Sequence, residues 1–396
     1  MIGEFMLSDV YLAAPARTAI GAFNGAFADV PAPALGAAAI RGVLAKSGLK
    51  SDDINEVIFG NVIGAGLGQN VARQCAIGAG LGVHVGATTV NKVCGSGLKA
   101  VMLAAQAIQC GDAALVIAGG TENMSRAPYL LDKARTGYRL GDAKLIDAMI
   151  HDGLWDVYNN LHMGSCGDRC AARYAFTRQQ QDDYAVASFQ RAIAAQAAGT
   201  FDDEIVGVTK NDKQQTIITR DENPSRFDEA RLRQLRPAFS PEGTVTAGNA
   251  SSINDGAAAI VVVSPGAAKS LGLTPAARIL GFATAAREPE WFTVAPIGAI
   301  TLLLDKLSLR IADVDLFEIN EAFAVVPMAA MADLNIPHDK LNVNGGAVAL
   351  GHPIGASGTR TLVTLLNALR RSGGRTGVVS LCLGGGEAVA MAVELL

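Results

Sequence analysis

Short apolar runs that stop at glycine alternate along this chain with longer stretches whose apolar residues recur every third or fourth position. Residues 57–60, 115–120 and 257–263 are of the first kind and read as strands buried on both faces. Residues 35–45, 98–109 and 180–198 are of the second kind and read as helices. Leu98, Val101, Met102, Ala105 and Ile108 share one helix face, and farther on Leu362, Leu365, Leu366 and Leu369 share another. Thr177 and Gln180 form a capping-box signature where the 180–198 helix begins. Such alternation predicts an α/β fold with helices covering the sheets.

The plan occurs twice. Residues 111–120 pass from a loop through a buried strand into glycines, and residues 374–386 repeat that course. A helix opens just after Cys94 in the first half and at residues 355–358 in the second. The duplication is topological rather than literal. Residues 124–246 break the pattern with many charges, few apolar runs and a loop-like stretch at 211–236, and read as an insertion into the first half.

A chain of 396 residues suits two or three packed units, and its 50% hydrophobic content supports a large core. No run of 18 or more uncharged apolar residues predicts a membrane span, and no basic-then-apolar leader predicts secretion. Residues 1–5 read as left over from expression, with Met6 the native start. A net charge of −4 offers no basic face for nucleic acid. Six cysteines in this length are not a disulfide framework, and reduced thiols suit the cytoplasm. Cys166 and Cys170 lack further ligands for zinc and read as ordinary thiols one helical turn apart, so no metal is expected.

The candidate chemistry sits at element ends. Cys94 lies between the strand-like residues 87–93 and a helix start, within Val93-Cys94-Gly95-Ser96-Gly97. Free N–H groups and the positive helix end favour a thiolate there. A small buried cysteine is the plain alternative. His352 stands among the glycines of residues 344–358, and Cys382 ends an apolar strand just before Gly384, Gly385 and Gly386. Asn320 opens Asn320-Glu321-Ala322-Phe323-Ala324. Read singly, His352 is a loop histidine and Cys382 a core thiol.

Together these four motifs, in this order from about residue 13 to the end, resemble the thiolase family on its biosynthetic acetyl-CoA acetyltransferase side. The resemblance implies a duplicated fold: two similar five-stranded mixed-sheet halves in an αβαβα layering, with an inserted loop domain. The halves fall at 1–123 with 247–273 and at 274–396, and the loop domain at 124–246. The implied reaction is the reversible Claisen condensation of two acetyl-CoA molecules to acetoacetyl-CoA and CoA, with no permanently bound cofactor. Cys94 becomes the acetylated nucleophile, kept ionised by His352, and Cys382 the acid/base. Asn320 holds a water that joins His352 Nε2 in donating to the enolate oxygen. The backbone N–H groups of Cys94 and Gly384 form a second oxyanion hole.

The resemblance also places His162 and Met163 in the acyl pocket, Ala247 and Ser251 against pantetheine, Ala322 and Phe323 beside the thioester, and Arg226 at a CoA phosphate. Met163 read alone is a core methionine. Two stretches depart from the family. Ser165-Cys166-Gly167-Asp168 replaces a Thr-Ala-Glu run, and Trp291-Phe292-Thr293-Val294-Ala295-Pro296 puts Phe292 where a pocket methionine is usual. Ser252 replaces a glycine after Ser251. Residues 126–147 match the region that joins thiolase dimers into tetramers, or else form a mobile surface loop. A broad-range 3-ketoacyl-CoA thiolase of β-oxidation stays open as an alternative. A decarboxylating ketoacyl synthase, which needs a second histidine for Cys382, and a non-catalytic CoA-binding protein are more remote.

Overall fold

The structure, a computed structural model, describes residues 8–210 and 213–396. The expected native start at Met6 lies outside the described residues. In the first half, strands β1 (Tyr11–Thr18), β2 (Glu56–Gly60), β3 (Gly86–Val90), β4 (Leu115–Asn123) and β5 (Asn254–Val263) stand in the order β3-β2-β4-β5-β1. Strand β2 runs parallel to both β3 and β4, while β5 is antiparallel to β4 and β1. In the second half, β6 (Ala277–Ala286), β7 (Leu316–Ile319), β8 (Thr376–Leu383) and β9 (Glu387–Leu395) stand in the order β7-β8-β9-β6. The directions repeat: β7 is parallel to β8, and β9 is antiparallel to β8 and β6. Where β3 flanks β2 in the first half, a single parallel bridge from Leu341 to Phe317 holds the fifth position of the second. The two sheets join where Tyr11 and Leu12 of β1 pair with Arg278 and Ala277 of β6.

The inner strands, such as β4 and β5, are apolar on both faces because both are covered, whereas the edge strand β3 is largely exposed. Leu115 and Ile117 of β4 pack with Leu35 and Ile40 of helix α1 (Ala32–Ser47). The alternate residues Val116 and Ala118 face the other way, into a cluster with helices α2 (Ser96–Cys110) and, near the C-terminus, Ile354–Ser372. That cluster also takes Leu381 and Met391 from the second half, so the two helices form a central layer shared by both sheets. A further helix, Ala295–Leu307, covers the outer face of the second half through Ile300 and Leu303. The layering is therefore αβαβα. The predicted face Leu98, Val101, Met102, Ala105 and Ile108 is buried, as are Leu362, Leu365, Leu366 and Leu369. Truncating one such leucine to alanine costs about 2–5 kcal/mol.

The central helices cross at their N-terminal turns. A Cβ on Gly97 would sit 2.8 Å from the Thr359 amide nitrogen, and one on Gly358 would overlap the Leu98 nitrogen. Glycine at both positions allows backbone contact, which brings the two helix starts to one point.

Residues between β4 and β5 carry the insertion, which is more helical than its charge pattern predicts. It contains α3 (Met163–Tyr174) and α4 (Arg178–Ala197). The capping box of α4 forms as expected: Thr177 N donates to Gln180 Oε1 at 2.8 Å, and Gln180 N to Thr177 Oγ1 at 3.2 Å. The insertion is riveted to β1 by buried Arg17, which donates to Asp221 through two bonds of 2.8 and 2.9 Å and to Glu204 at 2.6 Å. Removing one partner from such a buried set costs about 3–5 kcal/mol. Cys166 and Cys170 are buried on α3. Among the described residues one window, Val93–Cys110, is long and apolar enough to cross a membrane, and 61% of it is buried inside the fold.

Candidate active site

Strand β3 stops at Val90, short of the expected residue 93, because the chain must turn sharply to start α2 at Ser96. Val93 takes φ 46°, a left-handed conformation that a β-branched residue adopts only under constraint. The constraint is visible. Ser96 Oγ accepts from Lys92 N at 2.8 Å and donates to the Val93 carbonyl at 2.6 Å. Gly95 N closes the turn on Lys92 O at 3.1 Å. The strained elbow projects Cys94 from the helix start into a cavity of about 470 Å³.

A second turn meets it. Beyond Cys382 the chain breaks at Gly384, and Gly385 and Gly386 take φ 88° and 87°. Backbone N–H groups of Gly384 and of Cys94 itself face the Cys94 sulfur and favour its anion. Burial outweighs them and, with the nearby charge of Glu122, pushes the thiol up to about 11. Cys382 is fully buried behind Cys94; burial first, then the neighbouring Cys94 charge, holds its thiol well above the usual range.

His352 arrives from the second half. Its backbone N–H donates to Asn254 Oδ1 at 3.0 Å. Its Nδ1 lies 2.6 Å from Ser357 Oγ, which donates its one proton to the Pro353 carbonyl at 2.9 Å. Nδ1 must then carry the hydrogen and Nε2 the lone pair. Asn320 Nδ2 lies 3.4 Å from Nε2, while Asn320 Oδ1 is buried without a partner among the described residues. Burial, helped by the positive charge of Arg360, lowers the imidazole to about 3. Two expectations change here. The partners of the ring are Ser357 and Asn320 rather than Cys94. Burial also pushes the Cys94 thiol up and the His352 imidazole down, so both surroundings favour the neutral forms over a thiolate paired with an imidazolium. The low-dielectric surroundings disfavour both charges.

Of the remaining residues singled out from sequence, His162, Met163, Phe292, Ala322, Phe323, Gly384, Ala247, Ser251 and Arg226 all line the same cavity as Cys94 and His352. Asn320 and Cys382 stand just behind it. His162 caps α3 by accepting from Gly164 N at 3.0 Å, and stacks on Phe239 at 4.6 Å. Phe292 is buried edge-on to Phe323, with centroids 6.3 Å apart. Ser251 Oγ donates to the Ala322 carbonyl at 3.1 Å, joining the loop before β5 to the second half. Arg226 is exposed and paired with Glu222 at 3.0 Å. In the departing stretch after Gly164, Asp168 Oδ1 accepts from Thr244 N and Val245 N and braces the same loop.

Sequence reasoning missed several contributors. Ser357 lies inside the quoted histidine motif, and its hydroxyl one turn into the helix was the available signal. Asn254 and Phe239 carried none. Glu122 gathers the N–H groups of Val62, Ile63 and Gly355 at 2.9–3.2 Å, tying loops of both halves together. Burial still pushes its carboxyl up to about 7.

Two family models match the chain: the thiolase N-terminal domain over residues 10–266 and the thiolase C-terminal domain over residues 273–395. Acetyl-CoA acetyltransferase 2 of Arabidopsis thaliana is 52% identical over 392 residues, covering 98% of this chain and 97% of its own. The acetyl-CoA acetyltransferase of Cupriavidus necator is 51% identical over 399 residues, covering 98% and 100%. Among solved structures, the Acat5 thiolase of Ascaris suum in complex with coenzyme A superimposes with a TM-score of 0.93 at 41% identity, over 98% of this chain and 100% of that one. The acetyl-CoA acetyltransferase of Bacillus anthracis gives 0.96 at 38% identity, over 98% and 99%. With both family models spanning nearly its whole length and relatives above half identity, the chain belongs to the thiolase family.

Proposed function

We propose that this protein is an acetyl-CoA C-acetyltransferase that condenses two acetyl-CoA molecules reversibly to acetoacetyl-CoA and CoA. The observation that carries the reading is that Cys94, His352 and Gly384 line one apolar cavity, with Cys382 buried as a neighbour of Cys94. The names of the half-identical relatives support it.

In the first half-reaction His352 Nε2 takes the Cys94 proton as sulfur attacks the thioester carbonyl of acetyl-CoA. The carbon–sulfur bond to CoA breaks, and the proton passes to the departing CoA thiolate. A neutral imidazole with a free Nε2 lone pair is the state this step needs. In the second, the again-neutral His352 takes the Cys382 proton, and Cys382 as thiolate removes a methyl proton from another acetyl-CoA. Its burial makes that thiolate costly and correspondingly basic. His352 and Asn320 face the enolate oxygen. The carbanion attacks acetyl-Cys94, and the tetrahedral oxyanion lies against the Cys94 and Gly384 N–H groups until Cys94 leaves as a thiolate and takes the proton held on His352.

Met163 and Phe292 line the cavity, and their bulk supports a short acyl group. Each added methylene that fails to fit is worth about 1–3 kcal/mol. Thiolysis measured along a chain-length series tests this: kcat/KM falls at least about tenfold from acetoacetyl-CoA to 3-ketohexanoyl-CoA. A rise instead marks a broad-range degradative thiolase.

The same reading gives a homotetramer. The hairpin Tyr129–Leu131 with Leu145–Asp147 exposes Tyr129, Leu131 and Leu145, and Leu140 at its tip is fully exposed. Such an apolar patch suits a dimer–dimer contact. Light scattering that finds only a dimer at micromolar concentration removes the tetramer. Six free thiols fit a reducing cytoplasm.

A further inference from the structure

On the loop after Ser251, the hydroxyl of Ser252 has two partners. Asn223 Nδ2 donates to Ser252 Oγ at 2.7 Å, and Ser252 Oγ donates to Asn254 Oδ1 at 2.8 Å. One proton and one lone pair account for both bonds without conflict. Asn254 is fully buried, and its Oδ1 is the same atom that accepts the His352 backbone N–H at 3.0 Å. Its Nδ2 is fixed on the Gly21 carbonyl at 2.9 Å, and its side chain packs so closely under Gly351 that a Cβ there would overlap it. At the other end, Asn223 opens the turn Asn223–Arg226, whose last residue lines the cavity with Ser252 and Asn223.

We propose that Ser252 is a positioning residue that ties the insertion turn over the cavity mouth to the loop holding His352, preorganising the mouth for the CoA thioester. The role rests on the reading that the cavity receives that thioester. A glycine at 252 offers Asn223 no partner on this loop. The turn would then be held on that side by the long contact from Asn223 Nδ2 to the Leu350 carbonyl at 3.5 Å. Asn254 keeps its bonds to His352 and Gly21 in either case, so the link acts on the mouth and spares the imidazole. That asymmetry separates a positioning role from general loosening of the fold. Loss of the hydroxyl raises KM and leaves kcat, which depends on His352, nearly unchanged.

The test is steady-state thiolysis of acetoacetyl-CoA by Ser252→Ala, Asn223→Ala, their double variant and Ser252→Thr, with melting temperatures alongside. Ser252→Ala is expected to raise KM for acetoacetyl-CoA about three- to tenfold, the range of one neutral hydrogen bond, with kcat within about twofold. Asn223→Ala should match it, and the double variant should be no worse than the larger single effect, because both remove one link. Ser252→Thr, which keeps the hydroxyl, should recover most of the loss. An unchanged KM in Ser252→Ala overturns the proposal. So does a double variant whose loss is the product of the singles, which would mean that each residue touches substrate separately. A fall in kcat equal to the rise in KM, with a lowered melting temperature, also overturns it. Ala247→Trp, at an exposed position on the cavity wall, checks the underlying reading. Undiminished turnover there shows that the thioester binds elsewhere and overturns the role with it. Blocked turnover, with additive losses at 252 and 223, overturns only the link.

Discussion

The two helix starts that meet at the cavity occupy equivalent places in duplicated halves, but the chain reaches them by different routes. In the first half, β3 ends at Val90 and α2 begins at Ser96, so the connection is an elbow tight enough to force Val93 to φ 46°. In the second, the matching strand shrinks to one bridge at Leu341, and residues 342–353 pass through one short helical turn, Ala347–Leu350, before the helix begins at Ile354. The short connection fixes an atom close to the backbone, a cysteine sulfur, through turn geometry alone. The long one delivers an imidazole, whose position and tautomer need separate supports in Asn254, Ser357 and Asn320. The two duplicated halves thus bring converging helix starts together, one carrying a thiol on a tight connection and the other an imidazole on a long one.

Breaking the elbow side has the largest effect. Cys94→Ala should abolish turnover in both directions, measured as CoA-dependent cleavage and formation of acetoacetyl-CoA. Cys382→Ser comes next. It should lower condensation by about 10²–10⁴-fold while the first half-reaction survives, seen as release of CoA in a single turnover. If it condenses at the wild-type rate, another base serves. On the long connection, Ser357→Ala leaves His352 Nδ1 and the Pro353 carbonyl without their shared hydroxyl. The cost of about 1–3 kcal/mol should appear as a fall of about fivefold or more in kcat/KM. An unchanged value would mean the tautomer is set elsewhere. Gly358→Ala sharpens the comparison at the crossing itself. It should cost about 1–3 kcal/mol in urea unfolding, because its Cβ meets the Leu98 nitrogen.

The last effect is one of pH and concerns Glu122, which binds loops from both halves. Burial raises its pKa from 4.5 to about 7 in the folded protein, so folding favours its protonated form. Its contribution to stability is fully present below 4.5 and is lost as pH rises through about 7. The stability of wild type relative to Glu122→Gln should therefore fall between those pH values. A flat difference in urea midpoints across that window would contradict the assignment.

Much of this was legible in the sequence. The buried strands, the two leucine faces and the Thr177 capping box follow from periodicity and local hydrogen bonding. The motif residues from Cys94 to Cys382 fall together because each ends an element pointing at one crossing. What the sequence hid has physical reasons. Helix α3 was obscured by Gly164 and Gly167, poor helix formers that persist because Phe239 and Phe323 pack against their bare backbone. The strand into Cys94 looked longer than it is, since no propensity rule places a valine in a left-handed turn. The pull of Cys94 and His352 toward their neutral forms was not readable either. It depends on burial from both halves and on Arg360, which is distant from Cys94 in sequence and fully buried in the central layer.

The central claim is that the elbow cysteine carries the acyl group and that the second cysteine does not. Peptide mass spectrometry after rapid acid quench of the enzyme with acetyl-CoA tests it most directly. The account predicts one acetyl group per chain, on Cys94, in both wild type and Cys382→Ser. Acetyl on Cys382 or another cysteine, or none on any, would contradict it.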